Sequence, residues 1–140
     1  LHDDMVGRQP GQLGQVSEAI SAFYQATVEL GLADKVTTFT ASDFGRTLTS
    51  NGDGTDHGWG SHHIVVGGAV RGQAFYGRPP PQDQWHIGQG RLLPSTSVDQ
   101  FGATLAKWFG VSAGEMSGIL PNIGNFGGGE YPVDLGFMAG

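Results

Sequence analysis

The sequence contains no cysteine, and only 14% of its 140 residues carry a charged side chain. The missing thiol excludes disulfides, iron–sulfur clusters and cysteine nucleophiles. The bases Arg8, Lys35, Arg46, Arg71, Arg78, Arg91 and Lys107 are scattered among 13 acids, for a net charge of −6. No basic stripe runs along the chain to track phosphates, so nucleic acid is not an expected partner. Apolar runs such as Ile64-Val65-Val66 are far too short to span a bilayer, so no membrane span is expected. The opening Leu1-His2-Asp3-Asp4 has no initiator Met, basic n-region or apolar h-region; it reads as the interior of a longer, processed chain with no signal peptide of its own.

Glycine is plentiful, at 25 residues beside 7 prolines, without a three-residue period that would mark collagen. Such a chain is expected to be loop-heavy and of single-domain length. Leu13, Val16, Ile20, Phe23, Thr27 and Leu30 recur at steps of three and four, which predicts an amphipathic helix over 11–30 with Gly31 as its left-handed cap. The β-branched run 35–40 predicts a strand, followed by a polar loop over 41–60 with a turn at Asn51-Gly52-Asp53-Gly54. Ile64-Val65-Val66 has the wholly apolar character of a strand buried in a parallel sheet. Residues 69–76 suggest a small hairpin, and 77–94 a proline-rich loop. Ser97 and Gln100 form a capping box opening a helix through Val98, Phe101, Leu105 and Trp108; Ser112 and Glu115 suggest a second, short one. Beyond Pro121 the aperiodic tail is expected to be poorly anchored. Helix–strand alternation makes the fold class α/β, with too few strands for a covered sheet, so further strands are expected in a partner segment.

Chemistry-bearing residues concentrate after the first strand. Asp43 and Arg46 leave its carboxyl end, and Asp53, Asp56, His57, His62 and His63 follow before the next strand. Sites of open α/β sheets lie at such strand ends. Asp43, Asp56, His57 and one of His62 or His63 offer the carboxylate and imidazole donors that suit zinc, manganese or iron. The alternative makes Asp43 and Asp56 turn residues and His57 a surface histidine. An EF-hand reading of the loop from Asn51 fails, because Asp56 stands where glycine is needed and His62 where the bidentate glutamate belongs. Gly60-Ser61-His62-His63-Ile64 is no nucleophile elbow, and the glycines around 67–72 make no dinucleotide fingerprint. Arg46 is placed to hold a phosphate or sulfate, or else to pair with Asp43 and shape the loop. Trp59, Trp85 and His86 are candidates for a substrate rim or for packing.

Val36-Thr37-Thr38-Phe39-Thr40-Ala41-Ser42-Asp43-Phe44-Gly45-Arg46-Thr47, then Asn51 and Asp56-His57-Gly58-Trp59-Gly60, resemble the DUF1501 family. The similarity runs on through Gly67–Gly72, Tyr76-Gly77, Pro94–Asp99, Trp108-Phe109-Gly110 and Pro121-Asn122. The resemblance implies an alkaline-phosphatase/sulfatase-like fold with a parallel sheet, of which this chain is the carboxyl-terminal part, in an exported or periplasmic bacterial protein. It implies a hydrolase that uses divalent metals on phosphate or sulfate esters, a small anionic substrate, and a nucleophile from the amino-terminal half. Asp43 matches the metal-binding Asp at the strand end, His57 or else His62 the later metal-binding His, and His2 the His of an Asp-x-His motif. Phe44 departs from the pattern, which has His there. Arg46 is then the group that steadies the transferred oxyanion. A non-catalytic assembly module, working with the remainder of the parent chain or as a homo-oligomer, is the rival reading. Calcium-stabilised loops are a third.

Overall fold

A computed structural model describes residues 1–81 and 87–140. The chain forms two compact units, one of Leu1–Gly68 with Pro80–Pro94, the other of Ala69–Pro79 with Ser95–Gly140.

In the first unit the periodic apolar residues form α1, Met5–Glu29. It ends as expected: the amides of Leu30 and Gly31 bond back to Ala26 and Val28, and Gly31 takes the left-handed φ of 69° that glycine tolerates without strain. It starts six residues earlier than the periodicity indicates, so Pro10 lies inside it. Pro10 is the sixth helical residue, past the first turn, and its missing N–H costs the Val6 carbonyl its intrahelical donor. The first turn is held from outside, because the Met5 amide donates to the Asp53 carbonyl at 3.1 Å. Thr27 is the one buried residue of α1, and Leu13, Val16 and Phe23 of its apolar stripe remain exposed.

Among the described residues four short strands follow: β1 Thr37–Phe39, β2 Arg46–Ser50, β3 Thr55–His57 and β4 Val65–Gly67. They make two separate two-stranded sheets, β1–β4 and β2–β3, and both are antiparallel. The α/β class holds, but the strand pairing differs from the parallel arrangement expected for 64–66. The chain leaves β1 at Thr40 and returns at Ile64, whose carbonyl accepts the Thr40 amide at 3.0 Å. An excursion that leaves and re-enters at one end of a sheet necessarily reverses strand direction. The excursion itself is the β2–β3 hairpin, not the loop expected over 41–60. Its Asn51–Gly54 turn closes through the Asn51 amide to the Gly54 carbonyl at 3.0 Å.

In the second unit α2 spans Val98–Phe109. Its capping box is present in both halves, the Ser97 hydroxyl accepting from the Asp99 amide and the Gln100 side chain from the Ser97 amide. Gly110 ends the helix in the left-handed region. Ser112 and Glu115 close a turn through a 2.6 Å hydroxyl–carboxylate bond, and α3 follows over Met116–Ile119. Ala103, Met116 and Ile123 form a small buried core.

Two expectations for this unit are overturned. Residues 69–76 form no hairpin: Val70 bridges Met138, and the Tyr76 hydroxyl folds back onto the Arg71 carbonyl. The tail is well anchored, with Phe137 and Met138 buried and Lys107 paired to Asp134 at 2.6 Å. Side chains of α2 hold its backbone, a type of anchor that leaves no periodicity to read.

Candidate metal centre

Glycine sets the geometry of the site. The Gly45 amide donates to the Trp59 carbonyl, and the Gly58 amide returns a bond to the Gly45 carbonyl at 2.7 Å. A Cβ on Gly45 would collide with the Gly60 carbonyl, and one on Gly58 would sit 2.7 Å from the Arg46 backbone. The bases of β2 and β3 therefore touch backbone to backbone, which fixes Phe44 beside His57. The turn end is equally close. A Cβ on Gly54 would lie 2.5 Å from the Leu1 carbonyl oxygen, so only glycine admits the first residues alongside β3. The Thr55 amide then donates to the Leu1 carbonyl at 3.2 Å.

This pairing carries His2 to the hairpin. Its Nε2 lies 3.0 Å from Nε2 of His57, and its Nδ1 3.4 Å from Oδ1 of Asp56. The same carboxylate oxygen accepts from Asn51 Nδ2 at 3.0 Å, and the Asp56 amide donates to the Thr47 hydroxyl. These contacts, the Asn51 hydrogen bond first and the His2 bond next, hold the Asp56 carboxyl below the ordinary aspartate range. On the other side the Phe44 ring stacks on His57, and Arg91 Nε donates to the His57 carbonyl.

The expected site residues divide accordingly. His2, Asp56 and His57 are brought together. Asp43 is exposed in the turn before β2, where the Ser42 hydroxyl donates to the Phe44 carbonyl, and His62 is exposed beyond Trp59. Neither enters the His2–Asp56–His57 contacts. His63 instead meets the Thr40 hydroxyl, which also accepts the Ile64 amide. Arg46 is engaged with Thr55 and not with Asp43: Nε donates to the Thr55 hydroxyl at 3.1 Å and a terminal nitrogen to the Thr55 carbonyl. Trp59 is exposed. Trp85 and His86 lie outside the described residues.

The donor set fits a divalent ion in part. Two imidazole nitrogens sharing one tetrahedral ion at ~2.0–2.1 Å stand roughly 3.3 Å apart. The two facing Nε2 atoms are already close to that separation at 3.0 Å. A carboxylate on the far nitrogen of a ligating histidine is the usual outer support of such a ligand. Among the described residues, no three His, Cys, Asp or Glu side chains group as donors. The pair thus supplies two ligands, with Asp56 behind one of them.

The model of the family described as a protein of unknown function, DUF1501, matches residues 1–118. The chain belongs to the DUF1501 family. The match takes in all of the first unit, so the paired glycines, the hairpin and the two facing histidines lie within the DUF1501 region. No curated protein and no solved structure matches the chain.

Sequence reading missed Asn51 as a member of the site. Its Nδ2 bonds both the His2 carbonyl and Asp56, while its Oδ1 accepts the Asp53 and Gly54 amides. The signal was present as an Asn-Gly turn, but such a turn announces chain reversal and not what the amide side chain reaches. No helix among the described residues is long and apolar enough to cross a membrane.

Proposed function

We propose that this DUF1501 chain is the carboxyl-terminal segment of a metal-dependent, hydrolase-like protein acting on phosphate or sulfate esters. The observation that carries the reading is the 3.0 Å approach of His2 Nε2 to His57 Nε2, with Asp56 behind His2. In this reading the parent protein has an alkaline-phosphatase-like parallel sheet and is exported. The remainder of the parent chain supplies the nucleophile and the other ligands.

His2 and His57 hold the ion through neutral imidazole nitrogens, and Asp56 orients His2. Nitrogen donors favour zinc, manganese or iron over calcium, which prefers oxygen. A bound divalent ion would supply Lewis-acid polarisation of an ester oxygen. Asp43, on the exposed turn beside Phe44, is the further donor this reading assigns to the set. Arg46 spends two of its donors on Thr55, so its part is to hold β2 to β3 and to add positive potential beside a small anionic ester.

A second reading rests on Phe44. Its ring stacks against His57 at 3.7 Å, at the position where the superfamily pattern has histidine. An aromatic there removes a donor, which suits a scaffold kept for binding or assembly after loss of a metal position.

Zinc and manganese titration of the chelator-treated chain separates the two. Binding of about one ion per chain, lost in His57→Ala and in His2→Ala, supports the metal-dependent reading. A folded chain that binds neither metal refutes it and leaves the assembly reading, for which size-exclusion mass is the next measurement.

A further inference from the structure

Asn51 occupies a place that turn formation alone does not require. Building the hairpin turn uses only its Oδ1, which accepts the Gly54 amide at 2.8 Å and the Asp53 amide at 3.3 Å. Its Nδ2 points the other way and makes two bonds at 3.0 Å, to the His2 carbonyl and to Oδ1 of Asp56. One amide therefore fixes both the backbone that carries His2 and the carboxylate that faces the His2 ring.

The tautomers follow from the donor inventory. An ionised carboxylate only accepts, so the His2 nitrogen facing Asp56 must carry its hydrogen on Nδ1. Neutral His2 then presents a lone pair on Nε2. Across the 3.0 Å gap, His57 Nε2 is the donor while no ion is present. The lone pair needed for a metal is thus pre-set on His2 by a relay that begins at Asn51.

We propose that Asn51 is a positioning residue of the His2–His57 site, acting through Asp56 to fix the ring orientation and tautomer of His2. The proposal rests on the metal-site reading for its purpose, but its physical content is a property of the metal-free protein. Asn51 makes no contact with the position an ion would take; it sets the atoms that do.

Asn51→Asp separates the two halves of the residue. A carboxylate keeps the acceptor for the Asp53 and Gly54 amides and so keeps the turn. It loses both Nδ2 donations and sets a negative charge against Asp56. In the wild-type chain free of metal, nitrogen-15 NMR of the histidine rings should show His2 in the Nδ1–H form. In Asn51→Asp the His2 signals should move to the averaged or Nε2–H pattern of free histidine, while the Gly54 and Thr55 amide shifts stay near their wild-type values. Asp56→Ala, which removes the relay at its second member, should produce the same change with Asn51 intact. It serves as the check if Asn51→Asp disturbs the turn.

If the wild-type chain binds zinc, Asn51→Asp should weaken it by about tenfold, within the range seen when the outer support of a ligating histidine is removed. A wild-type His2 in the Nε2–H form, or an unchanged His2 pattern in both variants, overturns the proposal. Absence of zinc binding with the tautomer change intact defeats the metal reading alone and leaves the relay standing.

Discussion

The imidazole of His57 lies flat on the ring of Phe44, with centroids 3.7 Å apart and planes 17° from parallel. The two residues meet because the Gly45–Gly58 backbone contact brings the start of β2 against the end of β3. Phe44 remains 38% exposed, so the stack is a surface clamp and not a piece of core. Its effect falls on one ring orientation of His57.

Phe44→Ala tests that clamp. An aromatic pair adds about 0.5–1.5 kcal/mol beyond burial, and partial exposure puts this one at the low end. A small loss in urea stability is therefore expected, together with averaged His57 ring signals. If the chain binds zinc, Phe44→His is expected to raise the affinity by adding an imidazole beside His57; isothermal titration of the three proteins gives the order. Equal zinc affinity for Phe44→His and wild type would remove the argument that Phe44 marks a lost donor.

The glycine pair makes a stronger demand. Gly58→Ala sets a methyl 2.7 Å from the Arg46 carbonyl carbon and oxygen, backbone atoms with no side-chain freedom to yield. Overpacking of this kind costs about 1–3 kcal/mol. Urea denaturation should show that loss. Gly52→Ala is a useful contrast: it meets no neighbour within 4 Å, and its penalty comes only from a φ of 115°. Zinc binding, if present, should fall in Gly58→Ala further than the stability change explains, because the displaced strand end carries His57.

How far the sequence revealed this arrangement depended on the kind of signal. Ser97 and Gln100 mark the α2 start unambiguously, because a capping box is a local device whose partners lie three residues apart. Gly31 marks the end of α1 by an equally local device. The hairpin over Arg46–His57 was hidden because Thr47, Thr49, Ser50 and Thr55 give no alternation of apolar and polar residues. Its stability comes from side-chain bonds such as Arg46 to Thr55 and Thr47 to the Asp56 amide. The start of α1 was hidden because its first amide is satisfied by Asp53, far along the chain. Of the site, Asp56, His57 and His2 were legible as residue types. Their meeting depends on Gly54 and Asn51, whose roles appear only when Leu1 and His2 run beside the hairpin.

Acid dependence should be visible at Lys107 and Asp134. The 2.6 Å bond from Lys107 comes first among the causes that lower the Asp134 carboxyl, with the Gly136 amide adding to it. A carboxyl whose folded value lies below its ordinary 3.8 stabilises fully above that pH. The contribution is lost as pH falls through the lowered folded value. Because the pair is largely solvent-exposed, its worth is at most about 1 kcal/mol. Lys107→Met is expected to lower urea stability at pH 6 by that small amount, and the difference should shrink as pH falls below the ordinary 3.8 and through the lowered folded value. A constant difference between wild type and variant across pH 2–6 would show that Lys107 acts through its aliphatic stem and not its charge.

Gln100 joins the start of α2 to the tail and is the most consequential polar side chain of the second unit. It is only 2% exposed. Its Oε1 accepts the Ser97 amide at 3.0 Å, and its Nε2 donates to the Pro132 carbonyl at 2.6 Å. One turn on, the Thr104 hydroxyl donates to the Gln100 carbonyl and accepts the Leu135 amide at 2.9 Å. Gln100→Leu fills the same space but removes the partners of the half-buried Ser97 amide and of the Pro132 carbonyl, which water can reach, so each lost bond costs about 1 kcal/mol. Gln100→Glu keeps the cap, since a carboxylate accepts the Ser97 amide as well as an amide oxygen does, but it turns an oxygen toward the Pro132 carbonyl. Hydrogen exchange distinguishes the two consequences. In Gln100→Glu the amides of Phe101 and Thr104 should stay protected while those of Leu135 and Ala139 exchange faster. In Gln100→Leu both sets should lose protection. Equal protection of the tail in wild type and Gln100→Glu would mean that Thr104 and the Val70–Met138 bridge hold it without Gln100.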